Sequence, residues 1–157
     1  MLASGERTPT ARLLALGLEL PKPPRPLGRY VASVRTGSML VLSGMLPLLD
    51  GVPTVVGRLG DGVSLDAGRA AARLAALNGL AVASAALGTL DRIRRVVRAT
   101  VMLATTRGFV AHAAVADGAS DVLAALFDEG HTRVALGAYS LPMDAPVELD
   151  VIFELHE

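Results

Sequence analysis

Two charged residues stand in segments near the end of the chain that otherwise read as strands built for burial. Arg133 lies within Thr132-Arg133-Val134-Ala135-Leu136-Gly137-Ala138, and Glu148 lies within Val147-Glu148-Leu149-Asp150-Val151-Ile152-Phe153. A bare charge held away from water costs several kcal/mol or more, so each must meet an opposite charge or a polar ligand. An arginine fork can grip a planar carboxylate through two charge-assisted hydrogen bonds, and a glutamate beside the bound molecule can orient or activate water. Between the two segments, Leu141-Pro142-Met143-Asp144-Ala145-Pro146 carries the prolines and the acid of a turn. That turn predicts that the second strand folds back on the first, bringing Arg133 and Glu148 onto neighbouring strands. The competing readings are structural: an ion pair for Arg133, and for Glu148 a solvated acidic edge, since Asp150 and Glu154 share its alternating face.

Composition narrows the other chemistries. The chain has no cysteine, which excludes disulfides, thiolate nucleophiles and cysteine-ligated zinc. Its three histidines, His112, His131 and His156, include no pair at helical metal-ligand spacing, so no metal is expected. Basic and acidic residues number 15 each, leaving zero formal net charge and none of the long-range positive field of a dedicated nucleic-acid binder. Arg92, Arg94, Arg95 and Arg98 form a local basic run, but they alternate with Ile93, Val96 and Val97 and lack nearby aromatic residues for base stacking. That run reads as a solvated strand end or a subunit contact, and nucleic acid is not the expected partner.

The 157 residues suit a single domain with a real core. Hydrophobic residues make up 52% and aromatic ones only 3%, so Ala, Leu and Val must fill that core, and small side chains favour close contact between helix and sheet. Met1 to Leu20 carries Glu6, Arg7 and Arg12 ahead of a short apolar run and lacks the core of a secretory signal. No stretch reads as the ~18 apolar residues of a membrane helix, which predicts a cytoplasmic protein with no membrane partner.

The elements that must position Arg133 and Glu148 can be read in order. Thr8 or Thr10 caps a short helix to Leu18, and Pro21-Lys22-Pro23-Pro24-Arg25-Pro26 breaks it into an extended connection, giving an N-terminal helix and linker over 1–29 and a single domain over 30–157. Tyr30 to Arg35 and Met39 to Gly44, separated by Thr36-Gly37-Ser38, predict a β-hairpin, with a weaker strand over Val52 to Arg58. Ser64 caps an alanine-rich helix that ends at Gly88, with Leu74, Leu77, Ala81 and Ala85 on the packed stripe and Asn78 a core amide bonded to backbone. Ile93 to Leu103 predicts a long strand with Val97, Ala99, Val101 and Leu103 on one face; Gly108-Phe109 opens a helical region that Asp117-Gly118 interrupts. Strands in pairs with helices segregated between them favour an α+β sheet covered by helices on one face.

At this point the chain resembles a known family. Tyr30, the Leu42-Ser43-Gly44-Met45-Leu46-Pro47 segment, Arg133 with the Leu141-Pro142 after it, and Val147-Glu148-Leu149-Asp150 together are similar, over roughly Tyr30 to Leu155, to the YjgF-type reactive intermediate deaminases, also labelled endoribonuclease L-PSP. Gly118-Ala119-Ser120-Asp121 and Gly130-His131-Thr132-Arg133 place the resemblance in a branch with an N-terminal extension. It implies a chorismate-mutase-like fold, a homotrimer with a central barrel, clefts between subunits, and cofactor-free hydrolysis of 2-imino or 2-enamino acids to 2-keto acids and ammonia. By that resemblance Arg133 holds the substrate carboxylate, Glu148 handles the nucleophilic water, Tyr30, Ser43 and Gly44 line the site, and Ser120 stands for a helix asparagine of some members. Ala135, Gly137 and Met45 replace a cysteine, a glutamate and a glutamine of better-known members. The alternatives are therefore a non-catalytic trimer that binds small carboxylates or a protein partner, and an endoribonuclease.

Overall fold

The computed structural model describes residues 8–157, so Glu6 and Arg7 lie outside the described residues. Helix α1 (Pro9–Ala15) starts where expected: Thr8 Oγ1 accepts from the Ala11 amide at 3.2 Å, and Pro9 takes the first helical position, where a missing N–H costs nothing. Leu13 enters the main core, and the Thr10 amide donates to Asp91 Oδ1 at 2.8 Å. The extended segment that follows leads to the hairpin of β1 (Ser33–Thr36) and β2 (Met39–Leu42), which turns at Gly37 with φ 56°. Tyr30 therefore precedes the first strand rather than opening it. Two small ribbons come next, β3 (Leu48–Leu49) with β4 (Val52–Pro53), and β5 (Arg58–Leu59) with β6 (Gly62–Val63), in place of one weak strand.

Helix α2 (Leu65–Leu87) is capped by Ser64 Oγ, which accepts from the Ala67 amide at 3.1 Å, and ends on Gly88 in the left-handed region. After it come β7 (Ile93–Ala104), α3 (His112–Leu126), β8 (Thr132–Ala138) and β9 (Val147–Leu155). The main sheet runs β1-β2-β9-β7-β8, with β8 parallel to β7 and the other neighbours antiparallel.

This order corrects the expected hairpin between the last two strands. The turn at Pro142–Asp144 does not fold β9 onto β8; β9 lies on the far side of β7, between β7 and β2. A parallel pair needs a crossover, which α3 supplies between β7 and β8, whereas β9 is buried at every second residue from Val147 to Leu155 and pairs with a strand on each side. The alternation does put Glu148, Asp150 and Glu154 together, half-buried, on the face opposite the helices.

Three finer expectations also change. Of the expected stripe of α2, Ala81 is buried, but Ala85 is exposed and Leu74 and Leu77 only half-buried; Ala71, Ala72, Ala75, Ala76, Leu80 and Ala83 complete the packed face, and these mostly small side chains let the helix lie closer to its neighbours. In β7, register shifts between Ile93 and Arg95 and between Val96 and Arg98 put Val96, not Val97, in the core beside Ala99, Val101 and Leu103. Asp117-Gly118 does not break α3. Gly118 is there because a Cβ would stand 2.1 Å from the Arg69 carbonyl oxygen of α2, so its helix cost is offset by a close helix crossing. Helix α2 is also long and apolar enough to cross a bilayer, contrary to the sequence expectation, but here it is a core helix packed against α3 and the sheet.

Replacing Gly118 with alanine forces the two helices apart. Gly118→Ala is expected to lower stability by about 1–3 kcal/mol, read as a fall in the urea midpoint; an unchanged midpoint means the crossing has slack.

Candidate functional site

Tyr30, Ser43, Gly44 and Glu148, separated by up to more than a hundred positions in sequence, line one cavity of about 210 Å³. Backbone pairing past the end of β2 assembles it. The Ser43 amide donates to the Ala32 carbonyl at 2.9 Å, and Met45 exchanges two hydrogen bonds with Leu149, at 2.7 and 2.9 Å, which lays the Ser43-Gly44-Met45 segment against β9 beside Glu148. Ser43 Oγ donates to the Val31 carbonyl at 2.6 Å. The floor is tied from below: buried Asn78 donates through Nδ2 to the carbonyls of Leu46 and Leu48, both at 2.9 Å. Two carbonyl acceptors fix that amide orientation, and Oδ1 is left buried with no protein partner. Asn78 is thus the backbone-bonded core amide the sequence suggested.

Gly44 decides where the Glu148 carboxylate can lie. A Cβ on Gly44 would stand 2.1 Å from Glu148 Oε1, so any other residue there would displace the carboxylate, although the backbone conformation itself is not left-handed. Burial pushes the Glu148 carboxyl above its ordinary 4.5, and the negative charge of Asp150 pushes it the same way. Asp150 is itself raised by burial, with Arg98 acting against the rise. No arginine or lysine among the described residues forms an ion pair with Glu148. The result is a half-buried carboxyl that keeps its proton more readily than a free one, facing a cavity.

The opposite wall was not legible as a wall. Pro24, Arg25, Pro26, Leu27 and Gly28 line the cavity, and the strap is pinned because the Leu27 amide donates to Tyr30 Oη at 3.0 Å and the Tyr30 amide to the Gly28 carbonyl at 3.0 Å. The proline spacing signalled an extended segment leading to Tyr30, but nothing local could show that it lies over Glu148.

Arg133 and Ser120 are not in this cavity. In register, Arg133 aligns with Ala99 of β7, and Glu148 aligns with Met102 two strands across. Their backbones are therefore about 14 Å apart by strand geometry, and their side chains leave opposite faces of the sheet. Arg133 reaches back to α3, where Nη1 donates to Asp117 Oδ1 at 2.7 Å and to Ser120 Oγ at 3.0 Å. Among the described residues its Nε and Nη2 make no hydrogen bond. Ser120 Oγ also lies 3.0 Å from His131 Nε2, and the His131 pKa is lowered by burial and then by the Arg133 charge. The turn between the last two strands predicts Arg133 and Glu148 on neighbouring strands; the structure separates them and gives Arg133 an acidic neighbour, Asp117, that no strand pattern could indicate.

Arg94 and Arg95, the centre of the basic run, face Glu129 and Glu154, with Arg95 in contact with both acids. Among the described residues no three His, Asp or Glu side chains gather as a metal-binding group.

The mixed sheet with its helices on one face is an α+β fold of the chorismate-mutase-like kind. Residues 10–155 match the family model described as "YjgF/chorismate_mutase-like, putative endoribonuclease", and the chain belongs to this family. A relative from Trypanosoma cruzi, protein TCP17, is 40% identical over 149 residues, covering 93% of each chain. Among solved structures, a "putative endoribonuclease" from Shewanella oneidensis is 36% identical with a TM-score of 0.90, covering 94% of this chain and 99% of that one. A protein of unknown function from Agrobacterium tumefaciens is 38% identical with a TM-score of 0.86, covering 94% and 92%.

Because the folded-state pKa of Glu148 is raised, its contribution to stability is fully present below 4.5 and is lost as pH rises through the folded value. Glu148→Gln removes the charge, so it is expected to raise the thermal midpoint at neutral pH, with the gain vanishing as pH falls toward 4.5. A midpoint lowered at neutral pH would show instead that the carboxylate is held by a favourable partner.

Proposed function

We propose that this protein hydrolyses small 2-imino acids, and their 2-enamino tautomers, to 2-keto acids and ammonia in clefts between copies of the chain. The observation that carries this reading is the cavity around Glu148: a half-buried carboxyl with a raised pKa, fitted against Gly44, with the Tyr30 and Ser43 hydroxyls in the same lining. Such a carboxyl can take a proton from water and return it, because its pKa is moved toward the working pH. Water adds through oxygen to the C=N carbon, its proton passing to Glu148 and from there to the imine nitrogen, which gives a neutral carbinolamine. Glu148 then takes the carbinolamine hydroxyl proton and delivers it to the nitrogen as the C–N bond breaks, so ammonia leaves and the carbon keeps the oxygen as a ketone. The balance is imino acid plus water giving keto acid plus ammonia, with no redox change.

One chain supplies no Arg133 to this cavity, so the reading assigns the carboxylate clamp to a second copy, whose β8 edge carries Arg133 with Ser120 of α3 bonded beside it. The Asp117 contact uses only Nη1, which leaves the Nε and Nη2 edge for a side-on, two-bond grip on a carboxylate. The half-buried face of the main sheet, with Val41, Val97, Val134 and Ile152 not covered by any helix, supports assembly of copies through that face, as in a homotrimer. A second reading, a trimer that binds keto acids without turning them over, is favoured by Met45, which is buried in the core, and by Gly137, which offers no side chain.

Purified protein is expected to release ammonia from a 2-imino acid generated in the assay, and to scatter light as an oligomer. Arg133→Ala is expected to reduce kcat/KM by about 10- to 100-fold. Keto-acid binding with no turnover favours the second reading, whereas salt-sensitive RNA cleavage lost on neutralising Arg94 and Arg98 replaces both. A fully active monomer removes the intersubunit cleft.

A further inference from the structure

Among the residues lining the Glu148 cavity there is one cation, Arg25, and the reading above leaves it without a task. It lies between Pro24 and Pro26 on the strap that Tyr30 pins through its hydroxyl and amide hydrogen bonds. Two prolines restrict the backbone on either side of it, so little ordering remains to be done when a ligand arrives. Arg25 forms no ion pair among the described residues, with Glu148 or with any other acid. Arg25 and Glu148 thus line one cavity without pairing with each other, between apolar walls that include Leu27, Leu46 and Leu48.

We propose that Arg25 binds a second carboxylate on the substrate, so that the site prefers dicarboxylic 2-imino and 2-keto acids, with the apolar walls taking the methylene groups between the two charged ends. This rests on the proposed function and deepens it: a second copy's Arg133 holds the carboxylate next to the reacting carbon, and Arg25 holds the one at the end of the side chain. The electrostatics require such a division. A dianion beside Glu148 meets like charge, and only a cation in the same cavity offsets it, whereas a monocarboxylate with an alkyl side chain makes no use of Arg25. Arg25 is exposed and outside every helix and strand, so its replacement tests binding without disturbing the core.

The test is calorimetric titration of the full chain with 2-oxoglutarate and with 2-oxobutanoate, for the natural protein, Arg25→Ala and Arg25→Lys. The natural protein is expected to bind 2-oxoglutarate about tenfold or more tightly than 2-oxobutanoate. Arg25→Ala is expected to abolish that preference while leaving the 2-oxobutanoate affinity unchanged, and Arg25→Lys to keep part of it. Equal affinities in the natural protein, or a preference that survives Arg25→Ala, overturn the role of Arg25 while keto-acid binding still stands. Loss of both ligands in Arg25→Ala also overturns it, since Arg25 would then hold the carboxylate common to both. If the natural protein binds neither acid, the carboxylate-site reading itself falls, and this inference with it.

Discussion

The central place of β7 in the sheet governs what this chain can do. Because β7 separates β8 from β9, and because strand residues alternate between faces, Arg133 is directed toward α3 and Glu148 toward the open side. A one-residue slip in either register would reverse that, but the buried row from Val147 to Leu155 and the buried Ala99, Val101 and Leu103 hold both registers in place. The cation and the acid that look like partners in sequence are kept apart by the hydrophobic core itself. Any chemistry that needs both must draw them from different copies of the chain.

Small residues carry most of the remaining geometry. With few aromatic side chains, the core is an alanine-lined contact between α2, α3 and the sheet, and close approach replaces bulk. Gly118 lets α3 cross α2 at the Arg69 carbonyl, and Gly44 leaves the volume that the Glu148 carboxylate occupies. The same device thus serves packing at one place and the site at the other, and neither glycine is required by an unusual φ. Around the cavity, polar ties do what packing cannot: Asn78 anchors the Leu46 to Leu48 segment from beneath, and Tyr30 anchors the strap from above.

Much of this was legible in the sequence, for local reasons. Thr8 or Thr10 marked the first helix start, Ser64 the second and Gly88 a helix end because capping is a short-range matter of side-chain oxygens and a left-handed residue. The alternation of β9 correctly grouped Glu148 with Asp150 and Glu154. Errors fell where distant contacts overrule local signals. Asp117-Gly118 carries a breaker's composition but is held helical by α2, the two bulges of β7 moved Val97 out of the core, and the proline-rich turn before β9 looked like a hairpin.

The amino-acid order by itself determined the α+β class, the helix caps, the alternating strands and the candidate side chains, since each depends on residues within a few positions of one another. Only the tertiary structure decided that β9 inserts between β2 and β7, that the proline-rich strap lies over Glu148, and that Arg133 turns toward Asp117. The physical reason is that strand order and the covering of a cavity are settled by how apolar faces from distant segments are buried together. No periodicity within a single segment carries that choice.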